Sequence, residues 1–231
     1  MIRVIVGFLL LVMGCGTEAQ QQKTAQPPVL RPSAEEIRVY NDLLNELVEE
    51  RLYNRYLGAH ERRISKAYAA AFYEKTDTTG LQQEIDSLRN NIIQQRTKAC
   101  IVYLDTVFRP FIEPWKFYES AKVVSMIKWV TTDAQTAVST LSTGMPGLQS
   151  EAFQLRAAQI KPAQAYKKGA IGECFIGKVS VSKLVFNSDY TRCLLAYNFY
   201  CGDRCGRGEL VSAEKRNGRW VIVQAEECWI A

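Results

Sequence analysis

Gly208-Glu209-Leu210-Val211-Ser212-Ala213-Glu214-Lys215-Arg216-Asn217-Gly218-Arg219-Trp220-Val221-Ile222-Val223 is the stretch whose reading decides the fold. Two runs rich in β-formers flank Asn-Gly, a dipeptide that tolerates positive φ at both positions of a two-residue hairpin turn. Closing that turn pairs Arg216 with Arg219, Lys215 with Trp220 and Ala213 with Ile222. In this register Trp220, Ile222 and Val211 share one face, and Val221, Val223 and Leu210 the other. Both faces are partly apolar, so the sheet is expected to be covered on both sides over part of its length, one of them by helices from the amino-terminal half.

Moving outward, Phe175 to Phe186 and Arg192 to Tyr200 are two further β-type runs. Asn187-Ser188-Asp189 and the glycine-rich segment Cys201 to Arg207 separate the runs. Cys100-Ile101-Val102-Tyr103-Leu104 is a shorter one that can join the same sheet. Upstream the period changes. Ser33-Ala34-Glu35-Glu36 has the pattern of a capping box, and Ile37, Tyr40, Leu44, Leu47 and Val48 recur on one helical face, continued by Leu52 or Tyr53 and Tyr56 to a stop near Gly58. Asn45, Glu46, Glu49 and Glu50 are expected on the outer face. Ile64 to Tyr73 leans to helix, Lys75 to Gly80 is a turn cluster, and Leu81, Ile85, Leu88 and Ile92 mark another helix. Pro114 suits the first turn of a helix containing Tyr118, Met126, Ile127 and Val130. A short helix and loop follow over 134–147, and 148–160 stays open between helix and strand. The expectation is an α+β domain over 34–231, with amphipathic helices (34–160) packed on a C-terminal antiparallel sheet (171–231) of four or five strands.

The amino terminus sets the compartment. Arg3 precedes ten apolar residues, Val4 to Met13, and a small residue precedes Cys15. Ten residues are too few to span a bilayer, which takes about 20 at about 1.5 Å each. Val12-Met13-Gly14-Cys15 resembles the lipobox of bacterial lipoproteins, with Met13 departing from the usual small or branched residue. The resemblance implies removal of residues 1–14, lipidation of Cys15 and a cell-envelope location. By resemblance to the lipoprotein sorting rule, Gly16 in place of an aspartate implies the outer membrane of a Gram-negative bacterium, periplasmic or surface-exposed. Residues 16–33 are polar with three prolines and are read as a tether.

Composition agrees with a globular chain: 231 residues, 47% hydrophobic and 23% charged, with a net charge of +5 that falls to +4 without Arg3. The lysines and arginines form no stripe, so nucleic acid is not an implied partner. Besides Cys15 there are Cys100, Cys174, Cys193, Cys201, Cys205 and Cys228, an even number that favours disulfides in an oxidising compartment. Sequence does not choose among the pairings.

Cys201-Gly202-Asp203-Arg204-Cys205-Gly206-Arg207-Gly208 is the most distinctive motif. It admits a structural disulfide, local or to Cys193, Cys174 or Cys228. It also admits a redox pair activated by Arg204 and Arg207, or a zinc site with Cys174 and Cys193. His60, the only histidine, beside Glu61, fits a surface turn as well as a base. Glu226 and Glu227, adjacent on a strand, point to opposite faces and suit no shared acid–base site. Aromatic residues crowd 108–129, and Tyr40, Tyr53 and Tyr56 line the first helix; both groups suit a core as well as a ligand surface.

The run Ile176 to Asn187, the Cys201-Gly202-x-x-Cys205-Gly206-x-Gly208 motif, Asn217-Gly218-x-Trp220 and Val39 to Leu44 together resemble a group of uncharacterised bacterial secreted or lipid-anchored proteins. The resemblance implies an α+β domain and carries no activity; Cys174, Cys193 and Cys228 are extra thiols in this chain. Helices followed by a curved sheet with a late Asn-Gly-x-Trp hairpin also resemble the NTF2-like fold, a cone that often holds a small apolar ligand. The expected function is non-catalytic binding, by a membrane-anchored lipoprotein, of a small apolar ligand or another envelope protein, with no cofactor. An enzyme with a pocket between helices and sheet is the alternative, or thiol-redox chemistry at Cys201 and Cys205.

Overall fold

The computed structural model describes residues 31–95, 98–110, 120–166, 174–202 and 204–231. Helices come first: α1 (Ala34–Glu46), α2 (Glu61–Glu74) and α3 (Thr79–Gln94) precede β1 (Cys100–Asp105). Then follow α4 (Ala121–Val130), α5 (Ala134–Leu141), β2 (Gln159–Pro162), β3 (Cys174–Val181), β4 (Val185–Phe186), β5 (Arg192–Gly202), β6 (Cys205–Arg216) and β7 (Arg219–Ile230). The α+β architecture is as expected, but among the described residues one sheet of seven strands replaces the four or five anticipated. Its order is β2-β1-β3-β5-β6-β7, with β4 on β5. The count rises because the run 175–186 divides: Ser182 uses its hydroxyl and amide on Ala196, and Lys183 donates to the Thr143 carbonyl, so β3 and β4 separate. β1 joins parallel to β3, and β2, four residues ending on Pro162, caps that edge.

Asn217 and Gly218 both adopt positive φ (51° and 80°), and the turn gives the expected pairs Arg216–Arg219, Lys215–Trp220 and Ala213–Ile222. A slip after Ala213 then places Val211 opposite Ala225. Trp220 and Val211 bury in the main core, with Ile222 half-buried against it, while Leu210 joins the layer on the opposite face. The sheet is therefore covered on both sides. Tyr40, Leu43 and Leu44 of α1, with Leu47 just past its end, pack on Val179, Leu195, Tyr197 and Phe199. Met126, Ile127 and Val130 of α4 and Val138 and Leu141 of α5 pack on Leu194, Ala196 and Leu210.

The capping box at the start of α1 forms: Ser33 Oγ accepts from the Glu36 amide (3.2 Å) and Glu36 Oε2 from the Ser33 amide (2.8 Å). The helix does not continue regularly to Gly58. It widens into a π turn over Leu47–Arg51, passes through positive φ at Tyr53 and Asn54, and resumes as a 3-10 run, Arg55–His60. Asn45 and Glu49, expected on an outer face, are buried. The segment after α5 closes over that face: Asn45 Oδ1 accepts from the Arg156 amide, Asn41 Oδ1 from the Gln154 amide, and Arg156 grips Glu49 with two nitrogens at 2.9 and 2.8 Å. Asp42 and Glu46 accept from the outward amides of Trp220 and Ile222 at 3.0 and 2.9 Å, so α1 also satisfies the free edge of β7.

Four cysteines pair, Cys100 with Cys174 (Cα separation 4.4 Å) and Cys201 with Cys205 (5.1 Å). Cys193 and Cys228 are free thiols, which corrects their inclusion among the disulfide candidates. They belong to apolar clusters on opposite faces of the sheet and cannot meet. Burial pushes both thiols up, Cys228 to about 11, so they stay protonated and unreactive at neutral pH. The first of the two disulfides is long-range, binding β1 to β3 across 74 positions.

Candidate functional site

Alternation along β5 divides one sheet face in two. Leu194 and Ala196 lie under α4 and α5; the next residues of the same face, Asn198 and Tyr200, lie beyond that cover. Cross-strand pairing extends Asn198 into a row, Asp105–Ser180–Asn198–Gly208–Trp229, and Tyr200 into a second, Tyr103–Lys178–Tyr200–Gly206. A cavity of about 380 Å³ opens over these rows, lined by Asp105, Arg109, Lys178, Ser180 and Tyr200, with Asn198 at its floor.

The glycines of the cysteine motif shape this place. A Cβ on Gly206 would come within 2.9 Å of the Trp229 ring, and one on Gly208 within 1.9 Å of Trp229 Nε1. The indole therefore lies flat on bare β6 backbone. Its Nε1 donates to Asn198 Oδ1 (3.0 Å), and Asn198 Nδ2 donates to the Arg109 carbonyl (2.8 Å). Tyr200 stacks on Trp229 with centroids 5.0 Å apart, yet keeps 49% of its surface exposed. The Lys178 ammonium sits 4.2 Å from the Tyr166 ring. Replacing Gly208 with alanine is expected to lift the indole off β6 at a cost of about 1–3 kcal/mol, the usual range for overpacking. Near-ultraviolet circular dichroism and the urea midpoint read both effects; an unchanged aromatic spectrum would refute the glycine floor.

A second polar constellation lies on the α1 side. Glu209, buried, accepts from the Tyr197 hydroxyl at 2.5 Å and pairs with Arg51 (3.1 Å) and Arg207 (3.4 Å). Arg207 also reaches Glu227 and lies 4.7 Å from the centroid of the Tyr53 ring. Burial and the Glu209 charge hold the Tyr197 phenol well above its ordinary value, so it donates at every physiological pH. Every charge in this cluster has an opposite partner, the mark of an internal brace rather than a reacting centre.

Between α1 and the β6–β7 turn runs a charged groove lined by Asp42, Glu46, Glu49, Arg89, Arg156 and Arg219. Burial raises the carboxyls of Glu46 and Glu49 above the usual glutamate range, for Glu49 despite its arginine. An acid raised on folding favours the protonated native state, so its contribution is complete below the ordinary value and is lost as pH rises through the raised one. Glu46→Gln keeps an acceptor for the Ile222 amide and removes that loss. The variant is expected to gain urea resistance over the parent at pH 7, with the gain vanishing below about pH 4. A pH-independent difference would reverse the assignment.

The other expected site residues scatter. His60 is exposed at the start of α2. Glu226 faces Lys122, whereas Glu227 pairs with Arg207. Tyr40 and Tyr56 belong to the core, Tyr40 donating to the Ser182 carbonyl and Tyr56 pushed up to about 12 by burial. Phe108 is buried beneath α4 and α5, and Trp129 lies 4.6 Å from the Arg192 guanidinium; Phe111, Trp115, Phe117 and Tyr118, and the helix start at Pro114, lie outside the described residues. Asp203 and Cys15 do as well. With Cys174 bonded to Cys100 and Cys201 to Cys205, the four-thiol zinc set is dissolved, and no group of His, Cys, Asp and Glu among the described residues is arranged to hold a metal. No helix among the described residues is long and apolar enough to cross a membrane.

The Tyr200–Trp229 site escaped sequence reasoning, although its signal was printed in Gly206-x-Gly208: two glycines on one strand face leave a trough that a ring on the next strand fills. No protein-family model, no curated protein and no solved structure matches the chain.

Proposed function

We propose that the chain is a lipid-anchored binding protein of the cell envelope, held through Cys15, which takes a ligand on the part of its sheet that α4 and α5 leave uncovered. The observation that carries this reading is Tyr200, half exposed on a Trp229 that is itself fixed from below, beside charged groups that converge on one cavity. Tyr40 and Tyr197, which pack in the core, are by contrast fully covered. Asp105, Arg109 and Lys178 suit recognition: the described lining holds one carboxylate and two cations, and so no acid–base pair of matched carboxyls. The apolar interior between α1 and the sheet is filled by Tyr40, Leu43, Tyr197 and Phe199, which argues against an enclosed ligand there.

The test is a native mass spectrum of the full chain extracted from its own membrane in mild detergent. A chain beginning at acylated Cys15 and carrying a non-covalent adduct that is lost in the Tyr200→Ala variant is the expected result. Cys15→Ser should lose the lipid mass and leave the detergent-rich phase. An unlipidated parent overturns the anchor, and an adduct unaffected by Tyr200→Ala overturns the site.

A further inference from the structure

We infer that the ligand is a glycan bearing an acidic group, its sugar ring laid against Tyr200, which Trp229 supports from beneath, and its acid facing Lys178 and Arg109. This rests on the binding role proposed above and names its chemistry. A pyranose is a plate: its axial C–H groups make an apolar face, and its hydroxyls form a polar rim. The face of an aromatic ring is the negative end of a quadrupole and attracts such C–H groups, while a flat ring buries them together. Tyr200 presents a ring of this kind, exposed yet supported, because Trp229 underlies it at 5.0 Å and is tied through Asn198 to the Arg109 carbonyl. A platform already fixed loses little freedom on binding.

The rim groups match the rest of the plate. Asp105 and the Ser180 hydroxyl, on the row beside Tyr200, can accept from and donate to sugar hydroxyls. Among the described residues that line the cavity, Lys178 and Arg109 outnumber the one carboxylate, an excess of positive charge that selects an acid. A lipid chain would leave these charges unpaired. A nucleic-acid strand would also stack, but it calls for a basic track along its backbone that this face lacks among the described residues. The cavity, about 380 Å³, lies in the size range of small-ligand sites, about 300–1,000 Å³.

The experiment follows the Trp229 indole N–H signal by NMR, assigned with Trp229→Phe, in the full anchored chain in detergent micelles. It is titrated with oligogalacturonate, with a neutral chito-oligosaccharide of equal length, and with inorganic phosphate and a basic peptide. Saturable movement of the signal by oligogalacturonate, weakened about tenfold in Lys178→Gln and about tenfold weaker for the neutral sugar, is expected. Equal binding of the neutral sugar overturns the acidic specificity. Movement with phosphate or peptide but with neither sugar discards the glycan and keeps the binding role, whereas a signal that no probe moves overturns both.

Discussion

Glu209→Ala is expected to cost about 3 kcal/mol of folding stability, the lower end of the range for breaking a buried ion pair. The carboxylate is 5% exposed and is the acceptor for the Tyr197 hydroxyl as well as the partner of Arg51 and Arg207. Its removal leaves a fully buried phenol without an acceptor and two guanidiniums without their shared anion. The figure stays at the lower end because Arg207 retains Glu227 and the Tyr53 ring, and Arg51, 28% exposed, can turn to water. Tyr197→Phe removes only the donor and should cost less, about 1.5–3 kcal/mol for a hydrogen bond to a charged group. Urea unfolding of the two single variants and the double variant checks this. Strict additivity would show that the phenol and the carboxylate do not act together.

The two disulfides should differ in worth by about a factor of two. Loop-closure entropy assigns about 4 kcal/mol to a link across 74 positions and about 2 kcal/mol to one across four. Cys100→Ser with Cys174→Ser is therefore expected to lower the urea midpoint about twice as far as Cys201→Ser with Cys205→Ser. The larger loss has a structural counterpart, since the Cys100–Cys174 link lies at the first residue pair of the parallel β1–β3 ladder. Equal losses, or the reverse order, would mean that the short link also restrains the native hairpin. In that case its removal should disturb Tyr200, the residue before Cys201.

How much of this was legible beforehand varies with the range of the interaction. Ser33 and Glu36 announced the start of α1 because a capping box closes within three residues. Asn217-Gly218 fixed the β6–β7 turn and its first pairs for the same reason. Expectation failed where a distant segment intervened. Asn45 and Glu49 are polar and sit opposite the apolar stripe, which by periodicity alone reads as a solvent face; Gln154 and Arg156, more than a hundred positions away, bury them by supplying partners.

The sequence by itself determined the local elements: the capped first helix, the Asn-Gly hairpin, the α+β order and the even number of cysteines beyond Cys15. Only the tertiary structure decided which cysteines meet, that Cys193 and Cys228 stay apart, and that β1 and β2 extend the sheet to seven strands. It also decided the candidate site. Asp105, Lys178, Tyr200 and Trp229 come from four strands and are neighbours only because cross-strand register aligns them. Register between distant strands is set by the packing of the whole sheet, and no window of sequence contains it.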